Sequence, residues 1–323
     1  MQTTTLGRTG LTVSVAGLGC GGHSRLGQTQ GASFEHSVDI VRTALDRGVT
    51  FIDTAEAYGT EEIVAEAIRG RRDEVVISTK AGIHAESFWD LTKMTRADVL
   101  EERLDGCLRR LGVDCIDVFH LHGIAAAQYD YAVSEFVPCL KRMREKGKIR
   151  FTGVTERFGG ETGHAMSARA AADEYFDVMM IGLNYLNQTA IKSVLPVTAK
   201  NNIATLCMFA VRGPLANREK VEALLHKLVE TGEVDPASFD ADDPLGFMLE
   251  SGTASSMSEI GYRFCRHTPG IDVTMTGTGN RDHLLENIEA IDGAPLPGEV
   301  RDRLVRIFGA VTSESGEPPR KSG

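Results

Sequence analysis

Long apolar runs are missing from this chain: no stretch approaches the roughly 20 residues that a membrane-spanning helix needs. The opening MQTTTLGRTG also lacks the apolar core of a secretory signal. A soluble, cytoplasmic protein is therefore expected. Cysteine is sparse, with six residues at 20, 107, 115, 139, 207 and 265 and no C-x-x-C pair. That spacing offers neither a zinc ribbon nor an iron–sulfur ligand set, and the thiols are expected to be reduced and mostly buried. Basic charge is short as well, 35 Lys and Arg against 45 Asp and Glu, for a net charge of -10. A surface of that sign does not attract phosphate backbones or anionic membranes. Nucleic acid and membrane are not expected partners. No linker and no change of composition divides the 323 residues, so one domain is expected.

What is present is alternation. Short apolar runs at 16–18, 51–53, 75–80, 116–122, 151–155, 178–183, 203–210 and 271–276 read as strands, and amphipathic segments separate all of them after the first pair. One such segment starts at Thr95, with Asp98 three residues on as a capping pair, and closes at Gly112. Ahead of the first strand, Gly7-Arg8-Thr9-Gly10 sits between two alternating runs, the pattern of a hairpin. Eight strands alternating with helices predict a (β/α)8 barrel with an N-terminal β-hairpin and a C-terminal extra helix. A doubly wound dinucleotide fold fits less well, because Gly19, Gly21 and Gly22 lack the G-x-G-x-x-G spacing. The rhythm breaks at 211–252, expected as a long loop insertion, and 313–323 is expected as a flexible tail.

Three of the strands end in ionisable residues. Phe51-Ile52 runs into Asp53, Ile77-Ser78-Thr79 into Lys80, and the fourth strand into His120 and His122; Tyr58 follows Asp53 by five residues. In a barrel these ends share the mouth where active sites lie. A phenol titrates near ~10, so a neighbouring ammonium that favours phenolate brings it closer to use as an acid–base group. Asp53 would hold that ammonium, and an imidazole could stabilise developing charge on a substrate oxygen. Such a site moves protons but carries no redox group, so a reduction there needs a borrowed hydride. The H-x-H of His120 and His122 also raises a metal-dependent hydrolase. It is set against that reading that the two rings are expected to splay to opposite faces and that no further histidine cluster accompanies them.

The segments LGRTGLTVSVAGLGCGG, GVTFIDTAEAYG, DEVVISTKAG, IDVFHLH, FTGVT and TGTGNRDHLLENI together resemble the aldo-keto reductase family over nearly the whole length. The resemblance implies a catalytic tetrad of Asp53, Tyr58, Lys80 and His122, with Tyr58 as proton donor to a carbonyl oxygen. It implies a nicotinamide dinucleotide at the mouth, NADP(H) ahead of NAD(H), and as substrate an aldehyde, a ketone or the carbonyl of a sugar. Gly21 and Gly22 would lie by the nicotinamide ribose. Thr155 replaces the family's carboxamide-binding serine, Glu156 its usual asparagine and Met180 a frequent glutamine. Met208 stands where an aromatic often stacks, with Phe209 beside it. Gly277, Thr278 and Asn280 would receive phosphate, with Arg281 or Arg212 in place of the usual 2′-phosphate ligands, and Glu286 and Asn287 would face adenine. His23, Trp89 and His120 would line the substrate pocket. A cofactor-binding regulatory subunit on the same fold is the alternative.

Overall fold

A computed structural model of the chain describes residues 1–86, 90–250 and 252–317. Two antiparallel strands, β1 (Thr3–Thr5) and β2 (Thr12–Ser14), form the expected hairpin. Eight parallel strands then close a barrel: β3 (Ala16–Gly19), β4 (Phe51–Asp53), β5 (Val76–Gly82), β6 (Ile116–Ile124), β7 (Ile149–Glu156), β8 (Val178–Gly182), β9 (Ala204–Met208) and β10 (Val273–Thr276). Each strand pairs with its successor, and β10 returns to β3. The expected (β/α)8 barrel with its N-terminal hairpin is what the chain adopts.

Barrel strands are buried on both faces, which is why their sequences run apolar without a clean alternation. The helices cover the outside and bury one large cluster against the strands. A second cluster fills the bottom of the barrel, where Leu6 and Val13 of the hairpin region meet Phe51, Val76, Val118, Val178, Leu206 and Val273. The hairpin is thus a plug. It closes the amino-terminal end, which leaves the carboxyl-terminal mouth open for polar chemistry.

Several local expectations need correction. The helix Ala97–Leu111 is not opened by a Thr95–Asp98 capping pair; Arg96 is at its N-cap without a side-chain bond, and the Ala97 N–H goes instead to Glu135 Oε1 at 2.9 Å. Residues 211–252 are not one loop, because Arg218–Glu230 is a helix capped by Asn217, with Val221, Leu225 and Leu228 buried. The polar end, expected to be flexible from 313, is held as far as it is described. Glu233 accepts from the backbones of Thr312 and Ser313, and Asn187 and Asn184 donate to the Glu314 and Ser315 carbonyls at 2.9 and 3.0 Å. The extra helix after the barrel is Gly298–Phe308.

Candidate active site

Strand register builds the site. Asp53 lies level with Gly19 and Ser78, while Lys80, one residue pair further up β5, is level with His120 and Gly153. Lys80 reaches back to Asp53, with Nζ 2.6 and 2.5 Å from the two carboxylate oxygens and 2.8 Å from the Thr54 carbonyl. Ser78 Oγ donates to the same carboxylate at 2.8 Å. Their side chains are 1% and 6% exposed. Above this pair Tyr58 presents its ring to the ammonium, 5.2 Å from Nζ to the centroid. Its hydroxyl lies 3.5 Å from His122 Nε2, with the two rings edge-on at 87°. Asp53, Tyr58, Lys80 and His122 are therefore brought together, from three strands and one loop.

Burial sets the protonation states. It raises the Tyr58 phenol, and the Lys80 charge pulls it back only in part, so the net shift is upward. The expectation that the ammonium brings the phenol closer to use left out this larger opposing effect. Burial works most strongly against charge on Lys80, but the charge and hydrogen bond of Asp53 together with Tyr58 outweigh it and leave the ammonium's pKa raised. His122 is held well below its ordinary range by burial and then by Lys80, so it is a neutral imidazole with one N–H to give.

His120 and His122 do not splay apart. Residues two apart on a strand share a face, and both turn inward; a Cβ at Gly153 would stand 2.2 Å from His120 Nδ1. His120 is fully buried and pushed down to about 3 by burial, then by Lys80. It sits in the barrel rather than on the substrate side, and it is not among the residues lining the cavity. Among the described residues no group of three or more His, Cys, Asp or Glu could hold a metal ion.

A cavity of about 550 Å³ opens over Tyr58, Lys80 and His122, walled by His23, Thr155, Phe158, Met180, Met208 and Phe209. Beside it runs a groove of about 350 Å³ past Gly21, Gly22, Met208, Arg212, Gly277 and Thr278. Several features fit an extended dinucleotide. A Cβ at Gly21 would stand 2.4 Å from the Tyr58 ring, so only glycine leaves the floor of the groove flat against the phenol. Thr155 Oγ1 accepts from the Gly123 N–H at 2.7 Å and keeps its own proton for a ligand oxygen. The helix Arg281–Asp292 begins at the far end of the groove with Asn280 as its N-cap. Arg281 and Glu286 are exposed there, and Asn287 donates to Thr276 Oγ1 at 3.0 Å.

Two residues take other roles than expected. Glu156 turns toward the helix layer, accepting from His164 Nδ1 at 2.8 and 2.9 Å, Ser167 Oγ at 2.5 Å and the Gly182 N–H at 2.7 Å. With both oxygens engaged it braces β7 to β8 and the helix Ala165–Asp173, and gives a carboxamide nothing. Arg212 stacks on Phe209 at 4.1 Å, pairs with Glu317 at 3.1 Å and is one of the charges that lower the Tyr58 phenol. It belongs to the Tyr58 end of the groove rather than to the helix start at Arg281. Trp89 lies outside the described residues. Sequence reading missed Arg157 and Arg25, which line the cavity, and Glu317, which no motif announced. Arg157 was within reach, since it follows a strand-terminal residue.

Residues 17–307 match the model of the Aldo/keto reductase family. The aldo-keto reductase YhdN of Bacillus subtilis (strain 168) is 28% identical, covering 98% of this chain and 97% of its own length. The aldo-keto reductase yakc [NADP(+)] of Schizosaccharomyces pombe is 34% identical over 45% of this chain and 43% of its own. Among solved structures, the holo form of aldo-keto reductase AKR11C1 from Bacillus halodurans superposes with a TM-score of 0.73 at 21% identity, covering 98% and 99% of the two chains. No helix of the described residues is long and apolar enough to cross a membrane. With the family model spanning the barrel from its first strand to its last helix, the chain belongs to the aldo/keto reductase family and is an NAD(P)-dependent oxidoreductase acting on small carbonyl compounds.

Proposed function

We propose that Tyr58 delivers the proton in this carbonyl reduction, with Lys80, Asp53 and His122 completing the site and NADP(H) as the favoured cofactor. The observation that carries the reading is the buried Lys80–Asp53 pair beneath a phenol whose hydroxyl lies 3.5 Å from a neutral His122, with Tyr58, Lys80 and His122 lining one cavity. Bound nicotinamide supplies the hydride to the carbonyl carbon. Tyr58 Oη gives its proton to the carbonyl oxygen as negative charge grows there, and the His122 N–H holds that oxygen. Lys80 lowers the cost of the phenolate left behind, and Asp53 fixes Lys80 in place. Gly21, Gly22, Thr155, Met180, Met208 and Phe209 would hold the nicotinamide end, and Gly277, Thr278 and Asn280 the adenosine phosphates.

Preference for NADP(H) rests on Arg281, whose guanidinium at the helix start offers charge-assisted bonds to a 2′-phosphate. A relative carries NADP(+) in its name, the S. pombe protein above. The acidic chain suits a cytoplasmic enzyme of small molecules rather than a nucleic-acid partner. Tyr58→Phe tests the core of the proposal. Turnover of the best carbonyl substrate should fall by ~10²–10⁴-fold, the usual worth of a general acid, with cofactor binding nearly unchanged. Near wild-type turnover in that variant overturns the assignment.

A further inference from the structure

The turn at 277–280, placed above against the cofactor's adenosine phosphates, is held from outside its own strand and helix. Its Gly279 carbonyl meets His36 Nε2 at 2.8 Å, across 243 positions of sequence. A carbonyl only accepts, so that ring nitrogen carries the proton and donates. His36 is itself fixed. It lies in the first turn of the helix Phe34–Asp46, where its backbone N–H donates to the N-cap Ser33 Oγ at 3.1 Å.

The chain ahead of that helix is shaped to bring it there. Arg25, Leu26 and Gly27 all have left-handed backbones, with φ of 44°, 58° and 94°, a conformation that residues with side chains seldom adopt in succession. Such a stretch persists where its surroundings over-determine it. Leu26 is fully buried, and its carbonyl accepts from Ser37 Oγ at 3.0 Å. Gly27 is thereby laid against Gly279: a Cβ at Gly279 would stand 2.3 Å from Gly27 Cα, and one at Gly27 would stand 3.5 Å from both Gly279 Cα and His36 Cδ2. Glycine at both positions lets the two backbones touch.

What the His36 bond controls is one peptide unit. The Gly279 carbonyl and the Asn280 N–H belong to the same plane and point in opposite directions. Holding the oxygen therefore aims the N–H, which donates to Thr278 Oγ1 at 3.1 Å. A hydroxyl that accepts there keeps its own proton for another acceptor, and Thr278 lines the groove of about 350 Å³ beside the cavity. We propose that His36 is a positioning residue of the cofactor site, acting through the peptide between Gly279 and Asn280 to turn the Thr278 hydroxyl toward a phosphate of the dinucleotide. This rests on the cofactor placement above and adds what sets the turn. The phosphate belongs either to the diphosphate, common to NADPH and NADH, or to the 2′ position, which NADPH alone carries.

Fluorescence titration of the purified protein with NADPH and with NADH is the test. His36 is exposed, so the fold withstands its replacement. His36→Leu keeps bulk against Gly27 and loses the donor. It should weaken binding about 3- to 10-fold, the worth of one hydrogen bond, for both cofactors where the diphosphate is held and for NADPH alone where the 2′-phosphate is. His36→Gln, whose amide N–H reaches as far as Nε2, should return to within about 2-fold of wild type on the same scale. Thr278→Val should weaken binding by a similar factor, and His36→Leu should add less than about 2-fold in that background, because the two changes remove one contact. Unchanged affinity for both cofactors in His36→Leu, a His36→Gln variant as weak as His36→Leu, or full additivity with Thr278→Val overturns the proposal and leaves the reductase reading standing. A wild type that binds neither NADPH nor NADH overturns both.

Discussion

Replacing Lys80 with methionine separates what the buried ion pair does for stability from what it does for chemistry. The two side chains are 1% and 6% exposed, and the ammonium makes three contacts of 2.5 to 2.8 Å. Methionine fills similar space but leaves the Asp53 carboxylate with Ser78 as its side-chain donor. Breaking a buried pair by removing one partner costs about 3–5 kcal/mol, because the other charge stays buried without compensation. Adding Asp53→Asn removes that stranded charge, so the double variant should regain about 2 kcal/mol or more. Activity should not return with it. Burial already raises the Tyr58 phenol, and Lys80 is the largest influence opposing that rise. Without it the phenolate becomes harder to form. In the direction of alcohol oxidation Tyr58 must first lose its proton, so activity rises with pH, and that rising limb should move to higher pH in Lys80→Met. Urea denaturation and pH profiles of oxidation read the two effects independently. A single variant as stable as wild type, or a double variant that regains turnover along with stability, refutes the reasoning.

Two further outcomes are expected. His120, held at about 3 against an ordinary 6.5, stays neutral in the fold while the unfolded chain takes up a proton below pH ~6.5. Stability is therefore full above that pH and declines as pH falls toward 3, by up to ~1.4 kcal/mol per pH unit for this one group. His120→Leu should flatten the decline between pH 7 and 5 in chemical denaturation, and an identical slope in both proteins would show that the ring does not carry it. Arg281→Ala should reduce the ratio of NADPH to NADH affinity several-fold by weakening the 2′-phosphate contact; fluorescence titration of both cofactors that finds the ratio unchanged removes Arg281 from that role.

The parts of the molecule legible in the sequence are those fixed by a repeating constraint. Parallel barrel strands buried on both faces read as short apolar runs, and the barrel requires their carboxyl ends to share one mouth, so Asp53, Lys80 and His122 could be placed together before any distance was known. Tyr58 followed because the loop after β4 is only a few residues long. Features that depend on contacts between distant segments left no such trace. The Ala97 N–H is capped by Glu135 rather than by the nearer Thr95, a choice made by packing. Arg218–Glu230 shows a helical apolar period, but the acidic run after it drew the whole of 211–252 into one loop. The attachment of Glu314 and Ser315 depends on Asn187 and Asn184, far away in sequence.

Glu156 shows most clearly why a residue's type does not fix its role. As a carboxylate in a position where the family has asparagine, it looks like a damaged cofactor contact. In the fold it is a satisfied acceptor whose partners, His164, Ser167 and the Gly182 N–H, lie behind the wall of the cavity. A buried carboxylate is tolerable only with such partners, and they hold it away from the mouth. On the proposed cofactor position, Thr155 is then left as the polar hand for the carboxamide, because Met180 and Met208 have none to offer. Orientation of the nicotinamide must come mainly from shape, from the flat floor at Gly21 against Tyr58 and the thioether walls around it. Thioethers pack adaptably. On that proposal the departures shift cofactor recognition from directed hydrogen bonds to fit, while the proposed proton-transfer groups beneath, anchored by the buried Lys80–Asp53 pair, keep their geometry.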